Sequence, residues 1–163
     1  MAKQQRRDRK TARELFPDDL LVLPIHAADK REVVTQLLNA LVIEGVLPLE
    51  REDEVRQSIL DREEVASTGI GCGVAIPHTK FKLADRFGVA VGISSEGVDF
   101  NAHDEMPARA IFLWVCPPSE TPKHLALMRG VAALAKEHDL ADKVANCRDK
   151  RSLFKVLERI EID

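Results

Sequence analysis

The spacing of apolar positions changes several times along this chain. Leu20–Ile25 (LLVLPI) is a short apolar run. Pro24 has no N–H to give to a sheet, so the run predicts an edge strand or an extended lead-in. Val33, Val34, Leu37, Leu38 and Leu41 recur at helical spacing and predict a helix from about Lys30 to about Glu44. Asp29 and Glu32 have the spacing of a capping box at its start, while Gly45 and Pro48 end it. A second helix is expected over Arg51–Glu63, charged on most faces, with Val55, Ile59 and Leu60 as a narrow apolar stripe.

Beyond it the period shortens. Residues 67–80 read STGIGCGVAIPHTK. Gly69, Gly71 and Gly73 predict a loop, and Val74–Ile76 a short strand stopped by Pro77. Phe87–Ile93 and Ala110–Val115 read as further strands. The second is apolar at every position, as a central strand covered on both faces must be. A long helix is expected from Thr121 to His138, burying Leu125, Met128, Val131, Ala132 and Ala135. A short helix at Leu140–Ala145 and a last one at about Lys150–Ile160 complete the order. Helices flanking strands at both ends predict an α/β fold, a three-layer domain with a small mixed β-sheet flanked by helices on both faces.

Composition narrows the function classes. The 163 residues correspond to one domain, large enough to fold without a disulfide or metal staple. No apolar run approaches the ~18 residues of a membrane helix, and the first residues lack the apolar segment of an export signal. A cytoplasmic location is expected. Residues 1–13 hold six of the 24 basic residues and one of the 27 acidic ones, so the rest of the chain is distinctly acidic. We therefore expect a disordered basic tail over residues 1–14 and a folded domain over 15–163. A folded body of this charge argues against nucleic acid as a partner. Cys72, Cys116 and Cys147 are far apart and odd in number, which excludes a disulfide framework and a zinc signature. No two histidines stand at i,i+3 or i,i+4, and Glu63 and Glu64 adjoin without facing one spot. Neither a metal nor a cofactor is expected.

Candidate chemistry centres on two histidines. His78 follows Pro77 at a strand end, where α/β sheets often bind ligands. Imidazole is nucleophilic near neutral pH and forms covalent phosphorylated intermediates. His124 falls in the first turn of the long helix, where free N–H groups and the helix dipole suit a phosphate. The glycines lead into a strand and a proline, so they match neither a P-loop nor a dinucleotide fingerprint. Their backbone N–H groups at Gly69, Gly71 and Gly73 remain a candidate anion nest. His26, His103 and His138 read as ordinary loop or helix-end side chains.

Leu60–Lys80 (LDREEVASTGIGCGVAIPHTK) resembles a signature of the mannitol/fructose-type enzyme IIA domains of the bacterial phosphoenolpyruvate-dependent phosphotransferase system, and the nitrogen-regulatory branch in particular. Its features are Asp-Arg-Glu, then Ser-Thr-Gly-Ile-Gly, then Ala-Ile-Pro-His. Pro118–Leu125 (PSETPKHL) resembles the second histidine motif of these domains, and the likeness extends over residues 15–160. The resemblance implies a phosphorylatable His78, with His124 and Arg62 supporting the phosphoryl group. It implies a histidine phosphocarrier, HPr or its nitrogen-branch counterpart, as donor, and either an enzyme IIB as receiver or a phosphate retained as a regulatory mark, with a transporter or kinase as the regulated partner. A regulatory module that never passes the phosphate on, or a plain anion-binding domain, are the competing readings. With no fused IIB or IIC domain, and with Cys72 and Thr79 in the motif, regulation is expected rather than sugar transport. The family often has Asn at Cys72 and Gly at Thr79, and both departures are expected to tune transfer. Ile70, Val74 and Ile76 are expected to form the carrier's docking surface.

Overall fold

The computed structural model describes residues 11–137 and 139–162. Its centre is a six-stranded mixed sheet. The strands are β1 (Leu21–Val22), β2 (Gly69–Gly71), β3 (Val74–Ala75), β4 (His78–Lys80), β5 (Gly88–Val98) and β6 (Ala108–Cys116). The helices are α1 (Lys30–Ile43), α2 (Glu52–Val65), α3 (Thr121–Ala135), α4 (Leu140–Ala145) and α5 (Lys150–Leu157). Across the sheet the order is β1-β5-β6-β3-β2, with β4 also on β6. β5 runs antiparallel to β6, whereas β3 and β4 run parallel to it, one beyond the other on the same side.

The apolar run expected to be central is central. Ala110, Phe112, Trp114 and Cys116 point into one core, and Ile111, Leu113 and Val115 into the other. Period-two alternation sends successive side chains to opposite faces, and both faces are covered, so every position must be apolar. α3, α4 and α5 cover the first face, and α1 and α2 the second. This is the three-layer arrangement read from the sequence.

Local signals held where they were strongest. The Asp29 side chain accepts the Glu32 N–H at 2.9 Å, and Glu32 reaches back to the Ala28 N–H at 2.7 Å. α4 spans the expected residues, and the Pro24 segment supplies the sheet's edge strand. Three details differ. Of the expected tail, residues 1–10 lie outside the described residues, but residues 11–14 are helical. Ala12 and Leu15 are buried there, and Arg13 lies 3.4 Å over the Phe154 ring, so apolar contact overrides the local charge pattern. In α3 the buried stripe runs through His124, Leu127, Val131 and Leu134, leaving Leu125 45% exposed. The helix phase is set by His124 turning inward. Finally, the glycine segment is largely a β2–β3 hairpin rather than a free loop.

Gly88 tests how tightly α1's exit packs on the sheet. A Cβ there would lie 2.4 Å from Val46 Cγ2 and 2.7 Å from Cγ1. Gly88→Ala should lower stability by about 1–3 kcal/mol, the usual range for overpacking. Adding Val46→Ala should recover part of that loss in urea titrations, whereas additive effects of the two changes would contradict the contact.

Candidate functional site

β3 and β4 form one line along β6, interrupted at Ile76-Pro77. Trp114 N–H still donates to the Pro77 carbonyl at 3.2 Å, so the interruption stays tied to β6. Beyond it His78 is in register with Trp114, Thr79 with Val115 and Lys80 with Cys116. Register partners share a face. His78 and Trp114 therefore both point to the α3 side, where the first turn of α3 brings His124.

The three rings form a cluster. His78 stacks on Trp114 with centroids 5.1 Å apart and planes 12° from parallel. His124 lies 5.1 Å from His78 and edge-on to Trp114 at 5.7 Å. Hydrogen bonds assign each imidazole a different role. His78 Nδ1 is 2.7 Å from the Ile76 carbonyl oxygen. A carbonyl only accepts, so Nδ1 carries the proton and Nε2 keeps a free lone pair. At His124 the order reverses: Trp114 Nε1–H donates to Nδ1 at 2.8 Å. That nitrogen is bare, and in the neutral ring the proton sits on Nε2. A half-buried nucleophilic nitrogen thus lies beside a buried imidazole with a donor to offer.

Electrostatics favour both neutral rings. Desolvation lowers the His78 pKa most; the Ile76 carbonyl and Glu63 push it back up, while Arg62 and Lys80 lower it further. His124 is lowered by burial first, then by His78 and Lys80. Arg62, in the last turn of α2, donates to the Ala66 carbonyl at 3.0 Å and stays exposed. Below it Glu63 is buried and accepts the Thr68 N–H with both oxygens at 3.1 Å. That anchor fixes the turn between α2 and β2, just beyond the helix end that carries Arg62.

The sequence missed three contributors. Trp114 read as core, yet it touches both histidines. Lys80 and Glu63 had no motif of their own. The glycines are a correction. Val74 pairs with Ala110 and His78 with Trp114, which separates the Gly71–Gly73 turn from the imidazole by ~13 Å along the strand. At that turn the Asp104 carboxylate accepts the Cys72 N–H at 2.8 Å, so an anion would meet a like charge. The N–H of Gly69 is used by Ser67 Oγ at 3.0 Å. Gly73 is needed for its φ of 74° and because a Cβ would lie 2.7 Å from Ala141 Cβ.

Both expected departures also read differently here. Cys72 adopts φ 56° at the distant turn, a conformation that Asn tolerates well. It governs turn geometry rather than the imidazole. Thr79 points away from His78, and its Oγ1 lies 2.7 Å from Ser58 Oγ, fastening β4 to α2. Val74 and Ile76 are buried core, 1% and 6% exposed, so they cannot dock a partner; of the three only Ile70, 39% exposed on β2 beside the glycine turn, is open to one. His26 and His103 are exposed, and His138 lies outside the described residues. Among the described residues no group of three or more His, Cys, Asp or Glu is placed to hold a metal.

The depressed His78 pKa is a stability statement. The folded value lies below the ordinary 6.5, so on acidification the unfolded chain takes the proton first. The stability from keeping His78 neutral is complete above pH ~6.5 and is lost as pH falls through the folded value. His78→Gln should therefore flatten the dependence of urea stability on pH between about 7 and 5. An equally steep profile in the variant would contradict the desolvated imidazole.

Comparison with known proteins places the chain. The profile of the family described as "Phosphoenolpyruvate-dependent sugar phosphotransferase system, EIIA 2" matches residues 14–160. A fructose-specific EIIA component of Haloferax volcanii is 29% identical over 146 residues, 90% of this chain and 94% of its own. A nitrogen regulatory protein of Bradyrhizobium diazoefficiens is 31% identical over 137 residues, covering 83% and 88%. The crystal structure of nitrogen regulatory protein IIA-Ntr from Neisseria meningitidis superposes with a TM-score of 0.80 at 25% identity, covering 88% of this chain and 97% of that one. With the match spanning both histidine segments and all three layers, this chain belongs to the EIIA type 2 family of the phosphoenolpyruvate-dependent sugar phosphotransferase system.

Proposed function

We propose that this protein is a phosphocarrier that takes a phosphoryl group onto Nε2 of His78. The donor is a phosphohistidine on HPr or its nitrogen-branch counterpart. The group then passes to an enzyme IIB, or stays as a mark read by a regulated transporter or kinase. One observation carries the reading: Ile76 claims the proton of His78 on Nδ1, leaving Nε2 as a lone pair beside the His124 ring.

The step balances without proton transfer. The Nε2 lone pair attacks phosphorus in line as the donor's N–P bond breaks and its electron pair returns to the donor ring. The His78 ring gains positive charge, which its Nδ1–H directs to the Ile76 carbonyl. His124 Nε2–H donates to a phosphoryl oxygen, and Arg62 and Lys80 add positive potential. Phosphoryl transfer asks for little beyond such positioning and charge stabilisation. The same two cations that lower the His78 pKa thus attract the incoming group and keep the nucleophile unprotonated. Exposed Val65, Leu83 and Leu125 lie on or next to the segments bearing Arg62, His78 and His124, and replace the expected apolar docking surface. No helix of the described residues is long and apolar enough to cross a membrane, which suits a carrier working in the cytoplasm.

A second reading keeps the phosphorylation and drops the onward transfer. Likeness to a nitrogen regulatory protein over 83% of the chain favours it. Incubation with phosphoenolpyruvate, enzyme I and the carrier should give an acid-labile, base-stable phosphate. His78→Ala should lose it and His26→Ala keep it; label retained in His78→Ala would refute the site. His124→Ala should remain folded and accept phosphate about 10²-fold more slowly, the usual loss for one preorganised donor. Chasing with an enzyme IIB separates carrier from pure regulator.

A further inference from the structure

We propose that Trp114 is a positioning residue for the phosphoryl-transfer reading above, on which this inference rests: its indole N–H fixes His124 with the proton on Nε2, and its ring face fixes the plane of His78.

Trp114 is the chain's single tryptophan and is fully buried on β6. A buried indole N–H needs an acceptor, and here the acceptor is a side chain of the site itself, His124 Nδ1 at 2.8 Å. His124 is only 6% exposed, so water competes little for that nitrogen. The charged or titratable side chains that act on it are His78 and Lys80 of β4, and neither side chain carries an oxygen acceptor that would draw a proton to Nδ1. The indole is thus the group that settles the tautomer.

Geometry gives the same ring a second role. Its face lies 12° from parallel with His78, while His124 meets it at 61°. One rigid side chain, held by strand register, therefore contacts both imidazoles through different surfaces. It angles the nucleophile and the donor relative to each other. An aliphatic residue at this position would fill the core but supply neither the N–H nor the flat face.

Trp114→Phe keeps an aromatic face and removes the N–H donor along with the smaller ring of the indole. The direct readout is the 15N spectrum of the histidine rings at pH ~8, above the ordinary histidine pKa of about 6.5. In the wild type, His124 should show a bare Nδ1 and a protonated Nε2, and His78 the reverse. In Trp114→Phe, His124 should become a mixture of tautomers while His78 keeps its proton on Nδ1. Phosphate acceptance should slow about tenfold to a hundredfold, as when a partner that orients an imidazole is removed, with the melting curve showing a folded domain.

Wild-type His124 with its proton on Nδ1 would overturn the proposal, and that result needs no variant to fold. So would a Trp114→Phe variant that keeps the wild-type tautomer or the wild-type rate. If wild-type His78 takes no phosphate, the transfer reading fails while the tautomer result still stands, so the two failures are distinguishable.

Discussion

β6 is wrapped on both faces, and the site exists because of the way its neighbours line up against it. A strand buried on both sides must be apolar throughout and must keep a fixed register, since a slip by one residue would exchange its two faces. That register sets His78 opposite Trp114 and Thr79 opposite Val115. It sends His78 toward α3 and Thr79 toward α2, where Ser58 holds it. Pro77 interrupts the adjoining strand just ahead of the histidine without releasing it from β6. His78 therefore stands on a tightly held part of the fold.

From that placement the chemistry follows in small steps. Two imidazoles 5.1 Å apart would repel if both were protonated and would be redundant if both carried the same tautomer. Two hydrogen bonds make them complementary instead. A backbone carbonyl accepts from one ring and so holds its proton on Nδ1, and an indole N–H leaves the other bare there. Burial, with the charges of Arg62 and Lys80, disfavours the protonated form of His78; burial, His78 and Lys80 do the same for His124. On the proposed function, one ring receives phosphorus and its neighbour steadies the oxygens. The acidic bulk of the chain describes the surroundings, while the local cations describe the site.

Much of this was legible in the sequence, for identifiable reasons. The apolar run of Ala110–Val115 announced a doubly covered strand, and the heptad-like spacing of Val33 to Leu41 announced α1. Pro77-His78 and the first turn of α3 pointed to the two histidines. What escaped depends on distance along strands. Gly71 and Gly73 lie close to His78 in sequence, but an extended chain carries them away from it, and Asp104 closes the turn they build; Gly69 folds back beside Ala75, with its N–H taken by Ser67 Oγ. Trp114 looked like any core residue because its N–H reveals a partner only in three dimensions. Arg13 and Ala12 sat in a basic run whose charge concealed the contacts beneath Phe154 and the core. Leu125 was assigned inward by periodicity, and a buried histidine at the adjacent position shifted the helix phase.

On the proposed function, hydrogen bonding of Nδ1 to the Ile76 carbonyl makes Nε2 of His78 the atom that carries phosphate. A phosphorus–nitrogen correlation spectrum of the 15N-labelled phosphoprotein reads this directly. Phosphorus should couple to Nε2 of His78, with Nδ1 still within hydrogen-bond reach of the Ile76 carbonyl. Phosphorus on Nδ1 of His78, or on any other residue, would contradict it.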